Sequence, residues 1–130
     1  MHNWKNIILK VTCTIEDAIN TLDKESLRIV MVTDDSDRLV GTVTDGDVRR
    51  GLIRKLSLDE PIIEIMFKTP TVALENDSKE SVLLKMKELD LLQLPIVNSD
   101  RKVVGLATLQ HLIERDRLDN PVFLMAGGFG

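Results

Sequence analysis

The chain has 130 residues, 43% hydrophobic and 29% charged, and a net charge of −4. That composition is ordinary for one soluble globular domain, and the acidic balance argues against a nucleic acid as the main partner. No apolar run approaches the roughly 18 residues of a membrane span, and the single cysteine excludes an internal disulfide and predicts a reducing compartment, the cytoplasm.

The first half of the chain alternates short apolar runs with amphipathic segments. Thr14, with Asp17 three residues later, forms a capping box that predicts a helix N-terminus. The predicted elements, in chain order, are a strand at 7–9, a helix from 14, strands at 29–32 and 39–43 around a turn at 34–37, and a helix at 44–54.

The second half repeats the first at a shift of 64 positions, which brings Gly41 onto Gly105 and Thr44 onto Thr108 without a gap. A unit of about 60 residues buries too little surface to be stable alone, so the halves are expected to pack as one pseudo-twofold module with a cleft at their seam. The predicted elements here are a strand at 71–74, a helix at 78–89, strands at 94–97 and 103–107 around a turn at 98–100, and a helix at 108–115, after a connector at 57–70.

Beyond residue 120 the repeat stops. An apolar, strand-like run at 122–125 is followed by a glycine-rich segment at 126–130. This pattern predicts that the chain continues into another domain.

The segment from Gly41 to Asp47 is the sharpest local signal, because it passes from a strand into a helix N-terminus. Free backbone N–H groups and the helix dipole favour a phosphate at such a place. Thr44 can donate its hydroxyl to a phosphate oxygen, and Asp47 can accept two hydrogen bonds from a ribose diol. The same Thr-x-x-Asp spacing is also a capping box that needs no ligand, and spacing alone leaves both interpretations open.

In the second repeat the position of Asp47 is taken by His111. A neutral imidazole has one acceptor nitrogen and cannot hold a diol as a carboxylate does, so the sequence predicts one good site and one degenerate or empty site. Arg28, between a helix and a strand, is a candidate phosphate contact. Four basic residues also follow Asp47 on its helix; such residues can serve a phosphate but more often form a solvated face: Arg49, Arg50, Arg54 and Lys55.

No catalytic constellation is found within residues 1–120. The sequence contains no Ser-His-Asp arrangement, no Cys-His pair, no metal-ligand spacing and no Walker-type motif there. We therefore expect no enzyme activity, no metal and no cofactor for this chain by itself.

The doubled unit, with residues 39–49 following a hairpin, resembles a CBS domain, and two in tandem resemble a Bateman module. The resemblance extends to about residue 118. It implies an α+β (α/β) fold of two β-α-β-β-α repeats, at 1–60 and 61–120, packed as a pseudo-twofold pair. It also implies an adenosine nucleotide (AMP, ADP or ATP) in the cleft and a homodimer formed through CBS pairs. The site residues it implies are Thr44, Asp47 and Arg28, with Thr12, Met31 and Arg49 as further contacts.

The tail at 121–130 resembles the first strand and glycine-rich loop of a sugar-phosphate nucleotidyltransferase, similar to mannose-1-phosphate guanylyltransferases. This resemblance implies a regulatory module covalently linked to a catalytic domain of nucleotide-sugar biosynthesis, with Mg²⁺ needed only by that missing domain. The alternative is a structural dimerisation module that binds no ligand.

Overall fold

Two three-stranded sheets flanked by helices make up the described part of the chain, residues 4–25 and 27–109 of a computed structural model. The elements of the first repeat are β1 (Ile8–Lys10), α1 (Ile15–Lys24), β2 (Val30–Thr33), β3 (Leu39–Val43) and α2 (Asp45–Ile53). Those of the second are β4 (Ala73–Leu74), α3 (Lys79–Glu88), β5 (Gln93–Val97) and β6 (Val103–Thr108). The predicted fold class is confirmed, with boundaries shifted by one or two residues. Of the predicted helix at 108–115 only two residues are described, and Thr108 ends β6; the rest of it and the predicted strand at 122–125 lie outside the described residues.

The two sheets have the same topology. In the first, β1 pairs in parallel with β2, and β2 pairs antiparallel with β3. In the second, β4, β5 and β6 repeat that pattern. The register shifts after Val32 in one sheet and after Ile96 in the other, and the 64-residue shift relates these two positions.

The two hairpin turns are built by the same hydrogen bonds. Oδ1 of Asp34 accepts from the backbone N–H groups two and four residues further on, at 2.9 and 3.0 Å. Oδ1 of Asn98 does the same at 2.9 and 3.0 Å. Asp37 and Arg101 take the left-handed conformation at the equivalent position of each turn, with φ of 66° and 65°. Short polar side chains that bond to their own turn backbone favour this geometry.

The pseudo-twofold axis passes between the two hairpins. Arg38 and Lys102, which the 64-residue shift relates, form an antiparallel bridge. Beside it, the Leu39 N–H donates to the Arg101 carbonyl at 2.9 Å, and Nε of Arg101 donates to the Leu39 carbonyl at 3.2 Å. An antiparallel bridge between equivalent residues lies on a twofold axis, so the predicted pseudo-twofold packing is confirmed.

Strand β2 is buried on both faces, because it lies between the helices of the first repeat and the cluster shared with the other sheet. In β2, Val30 and Val32 pack with the helices of the first repeat, whereas Met31 points into a cluster shared by the two sheets. The buried members of that shared cluster are Ile7, Leu27, Ile29, Met31, Leu39 and Val97. A separate cluster fills the second repeat: Ala73, Val82, Met86, Leu94 and Ala107.

The connector between the repeats is packed on the first repeat. Ile62, in a short 3₁₀ turn at Ile62–Glu64, is fully buried among the side chains of the first core. Further on, Phe67 pairs with Thr42 of β3 through two backbone bonds, of 3.1 and 2.8 Å. The connector thereby adds a short strand-like edge beside the end of β3. The predicted domain boundaries at 60 and 120 stay predictions.

Candidate ligand-binding site at the seam of the repeats

Helix α2 begins where β3 ends, and Thr44 is its N-cap. Thr44 has extended backbone angles (φ −121°, ψ 175°), after which the chain turns into the helix. Its backbone N–H and its hydroxyl both donate to Oδ2 of Asp47, at 2.9 and 3.1 Å. The capping interaction predicted from the Thr-x-x-Asp spacing is therefore formed.

The other oxygen of the Asp47 carboxylate is bonded to Arg50. Nη2 of Arg50 donates to Oδ1 at 2.6 Å, and the aspartate side chain is 10% exposed whereas that of the arginine is 69% exposed. A carboxylate has about four lone-pair sites, of which these contacts use three. A ribose diol donates two hydrogen bonds. Asp47 can accept both of them only after the exposed guanidinium of Arg50 has turned away from Oδ1.

A cavity of about 330 Å³ opens beside this carboxylate, at the seam between the repeats. Its described lining from the first repeat and the connector is Ile29, Thr42, Thr44, Asp47, Arg50, Phe67 and Pro70. Its described lining from the second repeat is Thr71, Asp90, Leu91, Leu92, Gln93 and Pro95. The volume is at the lower end for small-molecule sites, and the mixture of an aromatic ring, apolar side chains and a few polar groups is typical of them.

Of the predicted site residues, the structure brings Thr44 and Asp47 together in the seam cavity and places Arg28 elsewhere. Arg28 is exposed, with a φ of 62°, and lines a different cavity of about 460 Å³. Three carboxylates share that lining with Arg28: Asp23, Glu25 and Asp45.

The other three predicted contacts are also absent from the described lining of the seam cavity. Thr12 lies exposed in the turn after β1, and Arg49 is exposed on α2. Met31 is fully buried in the cluster shared by the sheets. A ligand role for these three residues, and for Arg28, stays a prediction.

The internal symmetry suggests where two of them belong. A shift of 64 positions carries Leu92 onto Arg28 and Pro95 onto Met31, and both Leu92 and Pro95 line the seam cavity. Arg28 and Met31 are thus the counterparts of residues that face Asp47 from the opposite repeat. By that symmetry they would face the second predicted site, whose residue His111 lies outside the described part of the chain.

Comparison with known proteins identifies the repeated unit. The CBS domain family matches the chain twice, at residues 3–54 and 62–117. The chain belongs to the CBS domain family. It is a tandem pair of such domains, as the repeat and the motif of residues 39–49 predicted.

Solved CBS pairs share this fold. One, in complex with 5′-methylthioadenosine and S-adenosyl-L-methionine, is 28% identical with a TM-score of 0.70, covering 84% of this chain and 85% of its own. A CBS domain protein from Pyrobaculum aerophilum, complexed with AMP, is 21% identical with a TM-score of 0.71 and 100% coverage of both chains. At that identity, the second likeness is evidence for the fold only.

The curated relatives are longer proteins. Homoserine O-acetyltransferase of Methanobrevibacter ruminantium is 31% identical over 108 residues, which are 81% of this chain and 21% of the relative. Inosine-5′-monophosphate dehydrogenase of Aquifex aeolicus is 26% identical over 118 residues, 88% of this chain and 23% of the relative. The CBS pair thus spans about a fifth of these relatives.

The described part of the CBS pair contains no group of three or more side chains that could hold a metal ion. Among the helices within residues 4–25 and 27–109, none is long and apolar enough to cross a membrane. The cytoplasmic location stays a prediction.

Sequence reasoning missed the part of the lining that the second repeat and the connector supply. Phe67 of the connector lies at the seam, 53% exposed. Arg50 was grouped with solvated helix residues, although its spacing of three from Asp47 is the spacing of side chains that meet on a helix. That spacing was the available signal; no comparable signal exists for Leu92 or Gln93, which reach the cavity only through docking of the repeats.

Proposed function

We propose that this CBS pair is a regulatory module that binds an adenosine nucleotide in the seam cavity, with Thr44 and Asp47 as the principal polar contacts. The observation that carries the proposal is the position of the Asp47 carboxylate, 10% exposed at the side of a cavity to which both repeats contribute. An acceptor-only group at such a place suits the two hydroxyls of a ribose. The solved CBS pair that is 28% identical and holds two adenosyl compounds supports this ligand class.

The regulatory part of the proposal follows from the two-sided lining. A ligand that touches Asp47 on one repeat and Gln93 on the other stabilises one relative position of the repeats over others. Binding can shift an equilibrium only by the difference in affinity between the two arrangements, which is the physical limit on any such control. The direction of that control, activation or inhibition, is an outcome to be measured.

Calorimetric titration with AMP, ADP, ATP, GTP and S-adenosylmethionine tests the proposal. We expect saturable binding of about one adenosine ligand per chain, lost in Asp47→Ala, because a carboxylate that holds a diol cannot be replaced by a methyl group. The chain contains its own control: the Asp17 carboxylate on α1 accepts from the Thr14 N–H, as Asp47 accepts from the Thr44 N–H, and Asp17 lines neither cavity described here.

Asp17→Ala should lower stability by about 0.5–1 kcal/mol, similar to the loss of the cap expected in Asp47→Ala, yet leave nucleotide affinity unchanged. Binding by Asp47→Ala at the wild-type affinity would contradict the assignment of the site. Equal loss in both variants would show that only folding was disturbed.

The second candidate function is a structural dimerisation module without a ligand. The observation that favours it is that the Asp47 carboxylate already accepts three hydrogen bonds within α2 and its cap. Exposed apolar side chains on α2, Leu52 and Ile53, at 48% and 71% exposure, supply surface for a second copy. A stable dimer by light scattering, with no heat of binding from any of the five ligands, would favour this function over nucleotide sensing.

A narrower proposal concerns the protein that carries the module, namely that it is a sugar-phosphate nucleotidyltransferase. Its support is the resemblance of residues 122–130, and the named relatives above have other activities. The acidic Mg²⁺ ligands of such an enzyme would lie past residue 130. Turnover of GTP and a sugar 1-phosphate with Mg²⁺, by a polypeptide that continues beyond this residue, tests it, and its failure would leave the seam site untouched.

A further inference from the structure

Arg50 forms an ion pair with Asp47 and also lines the seam cavity. It lies one turn beyond Asp47 on α2, and its guanidinium folds back across the first turn of the helix. The guanidinium lies close to Gly46, since a Cβ atom built on Gly46 would be 3.4 Å from Nη1 of Arg50, an ordinary van der Waals distance. Arg50 and Asp47 both line the seam cavity, so their ion pair lies at its wall.

The charged residues that line the cavity make Arg50 a candidate partner for a phosphate group. Among the described residues of the lining, Arg50 has the one positively charged side chain, and Asp47 and Asp90 have the negatively charged ones. A phosphate that enters the cavity therefore finds a single cationic partner in this part of the chain, and that partner is bonded to the group that we assign to the ribose.

We propose that Arg50 exchanges partners when a ligand binds, from Asp47 to a phosphate, and thereby makes the seam cavity selective for a nucleoside monophosphate. This inference rests on the proposed function, because it requires a ribose on Asp47. When the diol takes Oδ1, the guanidinium is displaced, and its 69% exposed side chain is free to turn towards the ligand. One phosphate group then gives the guanidinium a new ionic partner in place of the Asp47 carboxylate.

The same exchange disfavours the two neighbouring ligand classes. An uncharged nucleoside breaks the Asp47–Arg50 pair and offers the guanidinium no anionic group to bind instead. A triphosphate brings several negative charges to a cavity where one guanidinium stands against two carboxylates, those of Asp47 and Asp90. Like charges at short range in a partly desolvated site weaken binding.

The expected sizes follow from the exposure of the pair. Breaking an exposed ion pair lowers affinity by about fivefold at most, and a charge-assisted hydrogen bond to a phosphate raises it by about tenfold or more. AMP should therefore bind about tenfold more tightly than adenosine, and ATP more weakly than AMP.

Titration of the 130-residue chain and its variants with adenosine, AMP and ATP tests this. In Arg50→Gln, we expect AMP to lose its advantage over adenosine, while adenosine binds as in the wild type or up to about fivefold more tightly, because it no longer competes with an ion pair. Arg50→Lys should restore part of the preference for AMP. Arg54→Gln is the matched control: it removes an exposed arginine of the same helix region whose Nη1 bonds to the Glu64 carbonyl at 3.3 Å, and should change no affinity.

Several results would overturn the inference. An unchanged ratio of AMP to adenosine affinity in Arg50→Gln would eliminate Arg50 as the phosphate partner while leaving the ribose site on Asp47 intact. Tighter binding of ATP than of AMP by the wild type would eliminate the selectivity for one phosphate. A wild-type chain that binds none of the three would overturn the proposed function itself, and this inference with it.

Discussion

The two repeats agree in their hairpins and differ at the end of the third strand. Asp34 and Asn98 build the same turn from different side chains, and both sheets shift register at the equivalent position. After that, Gly41 has the connector against it where Gly105 has ordinary space, and Asp47 is replaced by His111. The shared features are those that the fold requires, and two residues of the divergent region, Phe67 of the connector and Asp47 of the first repeat, line the seam cavity.

The largest predicted effect on stability comes from truncating the connector residue that is buried in the first core. Ile62 is fully buried there, whereas its neighbour Ile63 is 38% exposed. Ile62→Ala should lower the free energy of unfolding by about 2–5 kcal/mol through lost burial and a cavity, and Ile63→Ala by less than about 1 kcal/mol. Urea denaturation measures both. Equal losses would mean that the connector does not belong to the first core.

The next largest difference in stability is expected between alanine variants of the two equivalent glycines, Gly41 and Gly105. A Cβ on Gly41 would lie 2.7 Å from Sδ of Met66 and 2.9 Å from the Phe67 carbonyl oxygen, which is backbone and cannot move alone. Gly41→Ala should therefore cost about 1–3 kcal/mol by overpacking. On Gly105 the nearest atom would be 3.5 Å away, so Gly105→Ala should be neutral or slightly stabilising. A similar loss in both variants would contradict this account of the connector's close approach.

The elements of the fold could be predicted from the sequence because the signals for them are local. The capping box at Thr14, the β-branched run of β2 and the turn residues of the hairpins each act within a few positions, and the 64-residue repeat then supplied the pairing of the halves. The packed connector was harder to predict, since Ile62 and Ile65 belong to a segment without a regular period and are buried by the first repeat rather than by their own neighbours.

Only the wall of the site that is formed by one short segment of the chain could be predicted from the sequence. Thr44 and Asp47 come from four consecutive residues, so their spacing reveals them. The opposite wall, with Leu92 and Pro95, comes from the other repeat and depends on how the sheets dock. Arg28 was assigned to the Asp47 site because it lies between a helix and a strand and because the resemblance implied a basic residue there. The twofold relation instead pairs its position with Leu92 on the opposite wall.

A smaller difference is expected at the first helix of each repeat. On α1, Thr14 and Asp17 exchange two bonds, of 3.2 and 3.0 Å, whereas on α3 the described cap is one bond of 3.1 Å from the Ser81 N–H to Ser78. Asp17→Ala should lower stability by about 0.5–1 kcal/mol, because it removes a cap bond and a negative charge at a helix N-terminus. Ser81→Ala should change it by less than about 0.5 kcal/mol. Thermal unfolding of the two variants compares them, and a larger loss in Ser81→Ala would contradict the assignment of the caps.

The smallest predicted effect distinguishes the two hairpin turns by pH. The backbone N–H of Arg38, more than any other group, lowers the pKa of Asp34 below its ordinary value of 3.8, with the Ser36 N–H and the Arg38 guanidinium adding to it against partial desolvation. Because the pKa is lower in the folded state, the ionised carboxylate stabilises the fold above pH 3.8 and loses that contribution as the pH falls through the lowered pKa. Asp34→Asn copies the neutral side chain of Asn98 onto the first turn. The variant should be less stable than the wild type at neutral pH. The difference should shrink at acid pH, as the pH falls through the lowered pKa of Asp34 and its carboxyl becomes protonated. Urea midpoints at the two pH values measure this, since the other carboxylates are common to both proteins. A difference that stays constant with pH would show that the turn depends on its hydrogen-bond geometry and not on the charge of Asp34.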